Sequence, residues 1–254
     1  MVWTVGQRID SGNYTIGQIF SQGEKEILYH AVDLTGKPVL IQTLIEGSEE
    51  LKEQFWQGSS RLALCRHPHL IEIEKVFWEG SQPGLILESW KGQNLRRHIL
   101  ENSPLDPGLA ITYIRQIGSG LALLHERGIL HSNINPETLV LCQKRSQVIL
   151  TRLNLIPFLP SRQSGCYSPP EHTQARPQLG SYSDVYALAA TLYYLVTDED
   201  PEPAQRRLKG SKLIDPGEHN LNLSPRVRNA ILQGMTLKIQ DRPQTILEWL
   251  SLLT

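Results

Sequence analysis

From Tyr14 to about Leu44 the chain breaks into short runs rich in β-branched and aromatic residues. The runs are Tyr14-Thr15-Ile16, Glu26 to Ala31 and Pro38 to Leu44, parted by Gly23 and by the turn Thr35-Gly36-Lys37. This pattern predicts an antiparallel sheet. Leu51, Phe55, Leu62 and Leu64 then mark an apolar stripe that predicts a helix over about Glu49 to Leu64. Two further strands are expected, Leu70 to Trp78 and Gly84 to Glu88, the second short and apolar up to its terminal glutamate as buried strands tend to be.

Past the Lys91-Gly92-Gln93 break the period becomes helical. Leu95 to Leu100 predicts one helix, and Leu109 to Arg127 a second, with Ile111, Ile114, Ile117, Leu121 and Leu124 spaced by three or four. Ser183 to Val196 is apolar on nearly every side and predicts a buried helix. Ser224 to Met235 opens on a Ser-Pro cap signal, and Thr245 to Leu253 follows Asp241-Arg242-Pro243. The expected fold class is therefore α+β within a single two-lobed domain over 1–254, a β-rich lobe over about 1–89 and a helical lobe over about 90–254. No internal repeat or low-complexity tract interrupts it.

Composition narrows the function classes. With 25 Lys+Arg against 26 Asp+Glu and no long run of one sign, there is no basic footprint for nucleic acid or an anionic membrane. The apolar runs fall short of the ~20 residues a membrane span needs, and no signal segment opens the chain, so a cytoplasmic location is expected. Cys65, Cys142 and Cys166 lack the close pairing of a zinc site or a disulfide framework and read as reduced thiols.

Four segments, in order, carry the chemistry-bearing signal. They are His131-Ser132-Asn133-Ile134-Asn135-Pro136-Glu137-Thr138, Gly165 to Glu171 ending in Pro-Pro-Glu, Ser183-Asp184-Val185-Tyr186, and Asp241-Arg242-Pro243. Together they resemble the protein kinase domain of the bacterial Ser/Thr type, over essentially the whole chain. The first resembles the catalytic loop His-Arg-Asp-x-x-x-x-Asn, whose Asp accepts the substrate hydroxyl proton and whose Asn holds magnesium. The resemblance implies structural work for the retained residues. Glu171 would pair with Arg242, Asp184 would accept N–H bonds from the loop, and His131 would stack with Leu62 and Leu153 to join the lobes.

The same resemblance marks where the chemistry has changed. Only Gly23 remains of three glycines that would admit phosphate, and Glu24 and Glu26 add negative charge there. Val39-Leu40-Ile41-Gln42 resembles Val-Ala-Ile-Lys, so Gln42 stands for the phosphate-pairing lysine, and Gly58 for its glutamate partner. Leu28 and Leu40 would line the adenine slot, and Glu88 belongs to the same vestigial cleft. Asn133, Asn135 and Thr138 alter the catalytic loop, and Arg152, in Arg152-Leu153-Asn154, replaces the metal-holding carboxylate.

Other candidates favour structural roles. His67-Pro68-His69 fits a loop entering a strand, and Cys166 a replaced threonine. The short segment Leu155 to Ser164, with two prolines, reads as fixed, its Ile156, Phe158 and Leu159 either core or an exposed patch. Trp56 and Trp90 read as core. The expectation is an inactive pseudokinase rather than an enzyme, with no cofactor and no metal, acting as a scaffold or allosteric module whose partner is another protein. The alternative is a nucleotide sensor, or an atypical phosphotransferase using ATP in an altered pose.

Overall fold

The computed structural model describes residues 3–142, 147–152, 155, 165–174 and 177–253. The chain has a part built on an antiparallel sheet and a largely helical part. Two compact units form it: Met1–His67 with Ile71–Lys91 and Leu155–Leu159, and Pro68–Leu70 with Gly92–Asn154 and Pro160–Thr254.

The first unit holds strands β1 (Arg8–Ile9), β2 (Tyr14–Gln22), β3 (Glu26–Asp33), β4 (Pro38–Leu44), β5 (Ile73–Glu79) and β6 (Gln82–Glu88), in the order β1-β2-β3-β4-β6-β5. Every pairing is antiparallel. Because side chains alternate across a strand, register decides which face each residue serves. Tyr29 opposite Ile41 and Ala31 opposite Val39 join Trp3, Ile9, Ile16, Phe77 and Ile86 in one apolar core. Leu28 opposite Gln42, and His30 opposite Leu40, therefore point to the other face. Helix α1 (Glu49–Leu62) is capped by the Ser48 hydroxyl, which accepts from the Leu51 N–H, and carries Glu49 and Glu50 in its first turn. Both features satisfy or complement its exposed N–H groups. Phe55, Ser59 and Leu62 are its buried positions. The helix stops two residues short of the expected end, and Leu64 is exposed.

The second unit holds a three-stranded sheet of β7 (Gly92–Asn94), β8 (Leu139–Cys142) and β9 (Gln147–Leu150). Its helices are α2 (Leu95–Asn102), α3 (Pro107–Glu126), α4 (Ser181–Thr197), α5 (Ala204–Arg207), α6 (Pro216–His219), α7 (Pro225–Gly234) and α8 (Ile246–Ser251). Every residue of α4 from Ser183 to Thr197 is buried, as its all-round apolar pattern requires. Asp106, Ser224 and Thr245 cap α3, α7 and α8 with side-chain oxygens. The strand expected from Leu70 begins only at Ile73, because Leu70 forms a bridge to Leu150 in the second unit instead. Among the described residues no helix is long and apolar enough to cross a membrane.

Candidate functional site

In the first unit, the β3–β4 register sets Gln42 beside the start of β3. Its Nε2 donates to Glu26 Oε2 at 2.7 Å. Burial pushes the Glu26 carboxyl up to about 7, and the Gln42 hydrogen bond only partly offsets this. A lysine would have supplied a full countercharge; an amide supplies one dipole. The sign of the pH effect follows. The folded protein binds this proton more tightly than the unfolded chain, so stability is highest below the ordinary carboxyl range and falls as pH rises towards 7. We expect Glu26→Gln to flatten that slope and to stabilise the protein at pH 8 by at most about 3 kcal/mol, read from urea unfolding at several pH values. An unchanged slope would show that Glu26 is not the titrating group.

On the same face Leu28, Leu40 and Leu87 are buried, Leu40 to 2% exposure. At the rim the ring of Phe20 meets that of His30 at 5.1 Å and that of Trp90 at 5.7 Å, both edge-on. Glu88 ends β6 in pairing, its N–H donating to Glu72 O at 3.0 Å and its Oε1 accepting from Glu72 N at 3.1 Å. Gly23 is not sterically demanded: a Cβ there would meet only Glu26 O, at 3.5 Å. Gly58 is the opposite case, because a Cβ there would lie 1.9 Å from the carbonyl oxygen of Leu155. The chain passes directly over α1 at the one residue without a side chain. Trp56 is half-buried and lies on Trp78 with ring centroids 5.5 Å apart.

In the second unit, Asp184 near the start of α4 organises the loop before β8. Its carboxylate accepts from His131 N at 2.9 Å, Ser132 N at 2.8 Å and His125 Nε2 at 2.8 Å. Burial alone would raise its pKa, but the His125 contact and the backbone donor hold it below the usual carboxylate range. His131 Nδ1 accepts from Asn133 N at 3.2 Å, which leaves Nε2–H to donate to Thr151 O at 3.2 Å. Burial keeps this imidazole neutral by lowering its pKa.

The altered loop positions are closed on one another. Asn133 Oδ1 accepts from Asn135 Nδ2 at 3.2 Å. The buried Thr138 hydroxyl donates to Asn135 O at 2.9 Å and accepts from Asn135 N at 3.1 Å. Ser132 and Arg152 both sit in left-handed backbone, with φ of 55° and 56°. Magnesium needs hard oxygen ligands in open geometry. A hydroxyl already held on both sides, an amide oxygen already accepting and a guanidinium do not make such a set, so these residues do not fit the ion. Among the described residues no cluster of three His, Cys, Asp or Glu could hold a metal. Leu153, Asn154, Ile156, Phe158 and Leu159 lie outside the described residues, so the stack of His131 and Leu62 with Leu153 is not among the described contacts.

The large unit is held by a second polar centre. Arg242 Nη1 donates to Glu171 Oε1 at 2.8 Å and Nη2 to Oε2 at 3.3 Å, with both side chains at 0% exposure. Ser183 Oγ also donates to Glu171 Oε1, at 2.9 Å. Sequence reasoning missed a third cluster. Arg96 on α2 pairs with Asp200 through Nη1 and Nη2, at 2.5 and 2.8 Å, and lies over the Tyr194 ring; the Tyr167 hydroxyl donates to the same carboxylate. Nothing in the local pattern links residues so far apart in the chain. Burial raises the Cys166 thiol's pKa, which suits an inert thiol rather than a nucleophile. His69 Nδ1 lies 3.0 Å from Val148 O, a contact to backbone.

The protein kinase domain family model matches residues 14–232, and the chain belongs to that family. It is 28% identical over 207 residues to the serine/threonine-protein kinase PkaA of Streptomyces coelicolor, covering 75% of this chain and 38% of that protein. It is also 28% identical over 211 residues to the serine/threonine-protein kinase PrkC of Bacillus subtilis, covering 78% and 32%. The chain thus spans about a third to two fifths of the length of these two relatives. A crystal structure of Rad53 1–466 in complex with AMP-PNP superposes with a TM-score of 0.81 at 17% identity, over 96% of this chain and 66% of that one.

These findings correct one expectation. The replacements at Gln42, Gly58, Asn133, Asn135, Thr138 and Arg152 suggested a chain that is not an enzyme, whereas it belongs to the protein kinase domain family and is similar to serine/threonine-protein kinases. The physical reason is that a lost donor set identifies groups that do not act. It does not establish that no group acts.

Proposed function

We propose that this kinase-family domain serves as a regulatory or scaffold module that binds another protein in the cytoplasm, and that it handles nucleotide, where it does so, in a pose its relatives' lysine and metal ligands do not impose. The observation that carries this reading is the contrast between frame and chemistry. Asp184 and the Glu171–Arg242 pair are fully satisfied and buried, while Gln42, Asn133 and Thr138 are engaged with their own neighbours. A scaffold kept in shape while its reacting groups turn inward supports recognition by surface. The similarity to Streptomyces and Bacillus kinases supports the bacterial Ser/Thr type, and the altered positions support a degenerate member of it.

The second reading, an atypical phosphotransferase or nucleotide sensor, is favoured by family membership and by the strained backbone at Ser132 and Arg152. Strain of this kind costs of order 1–3 kcal/mol per residue and collects at functional sites. Thermal unfolding with ATP, with and without magnesium, separates the two. At 100 times its dissociation constant a ligand stabilises by about 2.7 kcal/mol. The scaffold reading predicts no shift with ATP-magnesium and capture of a specific partner from native cells. A magnesium-dependent shift with transfer would sink it in favour of the second.

A further inference from the structure

We infer that a cavity in the first unit docks an arginine-bearing, partly apolar peptide segment of a partner protein. The inference deepens the scaffold reading above by naming the partner's chemistry, and it rests on that reading. The cavity measures about 490 Å³ and lies where the N-terminal stretch, the β4–α1 connection and the β5–β6 turn meet, with Trp3, Glu46, Lys52, Glu79 and Gln82 in its wall. Its apolar side is fixed, since Trp3 is buried and stacks on Phe77 with ring centroids 5.8 Å apart. Trp56 stands one turn beyond Lys52 on α1, and Trp78 directly precedes Glu79 on β5. The Trp56–Trp78 pair therefore borders the cavity, and Trp78 keeps 37% exposure. An exposed indole beside a cavity is the kind of anchor on which interfaces concentrate their binding energy.

Two observations select the occupant. The first is charge. Between positions 46 and 53 stand four exposed glutamates, Glu46, Glu49, Glu50 and Glu53, against the single cation Lys52. Lys52 Nζ is already answered by Glu49 at 2.7 Å. The N-terminus of α1 accounts for Glu49 and Glu50 in its first turn, but not for Glu46 before it or for Glu79 on the β5–β6 side of the cavity. The second is an open acceptor. Gln82, at 8% exposure, donates from Nε2 to Thr43 Oγ1 at 2.8 Å and to Leu44 O at 2.6 Å. Its Oε1 accepts no hydrogen bond among the described residues, and Gln82 is part of the cavity wall. Glu79 is held in place by the Asp10 N–H, which donates to Oε2 at 2.7 Å. A guanidinium fits this combination: its planar fork supplies several N–H donors, its charge answers the carboxylates and its face lies on indole rings. Acidic or phosphorylated segments meet repulsion instead.

Fluorescence anisotropy of the whole chain with a fluorescein-labelled peptide, Leu-Arg-Arg-Leu-Leu-Arg-Arg-Leu, tests this. We expect saturable binding that is at least about tenfold weaker for Trp78→Ala, as loss of an aromatic anchor gives. The triple variant Glu46→Gln, Glu50→Gln, Glu53→Gln is expected to weaken it about fivefold, with circular dichroism confirming that both variants fold. Lysine in place of each arginine should bind more weakly, and glutamate in place of each arginine not at all. No binding, unchanged affinity in either variant, or equal affinity for the lysine or glutamate peptide would overturn the site. Sedimentation velocity that shows self-association lost in Trp78→Ala would assign the face to a second copy and overturn it as well. Capture from native cells is run with the wild type and Trp78→Ala side by side. A specific partner held equally by both keeps the scaffold reading and overturns the docking site, whereas one lost with Trp78→Ala supports both. Peptide binding with no partner captured leaves the site standing and defeats the scaffold reading.

Discussion

Arg242→Ala is expected to lower the stability of the chain by about 3–5 kcal/mol, because it leaves the Glu171 carboxylate buried without its countercharge. The loss is larger than that of an exposed pair, which contributes about 0–1 kcal/mol. Arg96–Asp200, about a third exposed on both sides, provides the internal comparison. Arg242 does more than pair: Nε donates to Thr236 O at 3.0 Å, Nη1 to Tyr182 O at 2.9 Å, and the guanidinium lies over the Tyr186 ring. Removing it strands carbonyl acceptors together with the carboxylate. Replacing both partners, Glu171→Gln with Arg242→Met, removes the orphaned charge and is expected to recover part of the loss but not all, since those carbonyls still lack donors. Equilibrium urea unfolding measures this. A loss under about 1 kcal/mol for Arg242→Ala would mean that the pair is solvated in solution.

What the sequence made legible follows the range of each physical cause. Apolar period and capping residues are local, so α1, α3, α4 and α7 were readable to within a few residues. The Asp106 cap that starts α3 at Pro107 was missed because the apolar stripe begins only at Leu109. Gly92–Asn94 is polar and joins a sheet only because Leu141 and Val140 lie opposite Gln93 and Asn94, and no property of the segment itself announces that. The site divides in the same way. Which residue types stand at positions 42, 133, 138 and 152 can be read directly, but what each holds is set by tertiary neighbours. That Gln42 takes Glu26, the first residue of the opposing strand, required the register. The fate of position 58 required the path of a segment almost a hundred residues later.

That position yields the second large effect. On sequence, Gly58 was a lost glutamate, which restoring mutations should be able to repair. In the structure the glycine is the point at which the backbone of Leu155 crosses α1, with room for no side-chain atom. Two effects oppose each other in Gly58→Ala. Helix propensity favours alanine over glycine by about 1 kcal/mol, while driving a methyl group into a carbonyl 1.9 Å away demands a backbone shift that costs about 1–3 kcal/mol or more. Contact between two backbones cannot be relieved by a rotamer change, so the steric cost wins. We expect Gly58→Ala to be destabilising by about 2 kcal/mol, the reverse of its sign at an exposed helix position, and Gly58→Glu to be worse. The double variant Gln42→Lys with Gly58→Glu should then show no favourable coupling in a double-mutant cycle, since the added carboxylate has first to displace Leu155. Gly58→Ala that leaves stability unchanged or raises it would show that the crossing is loose, and that the missing ion pair is a reversible loss rather than one built into the path of the chain.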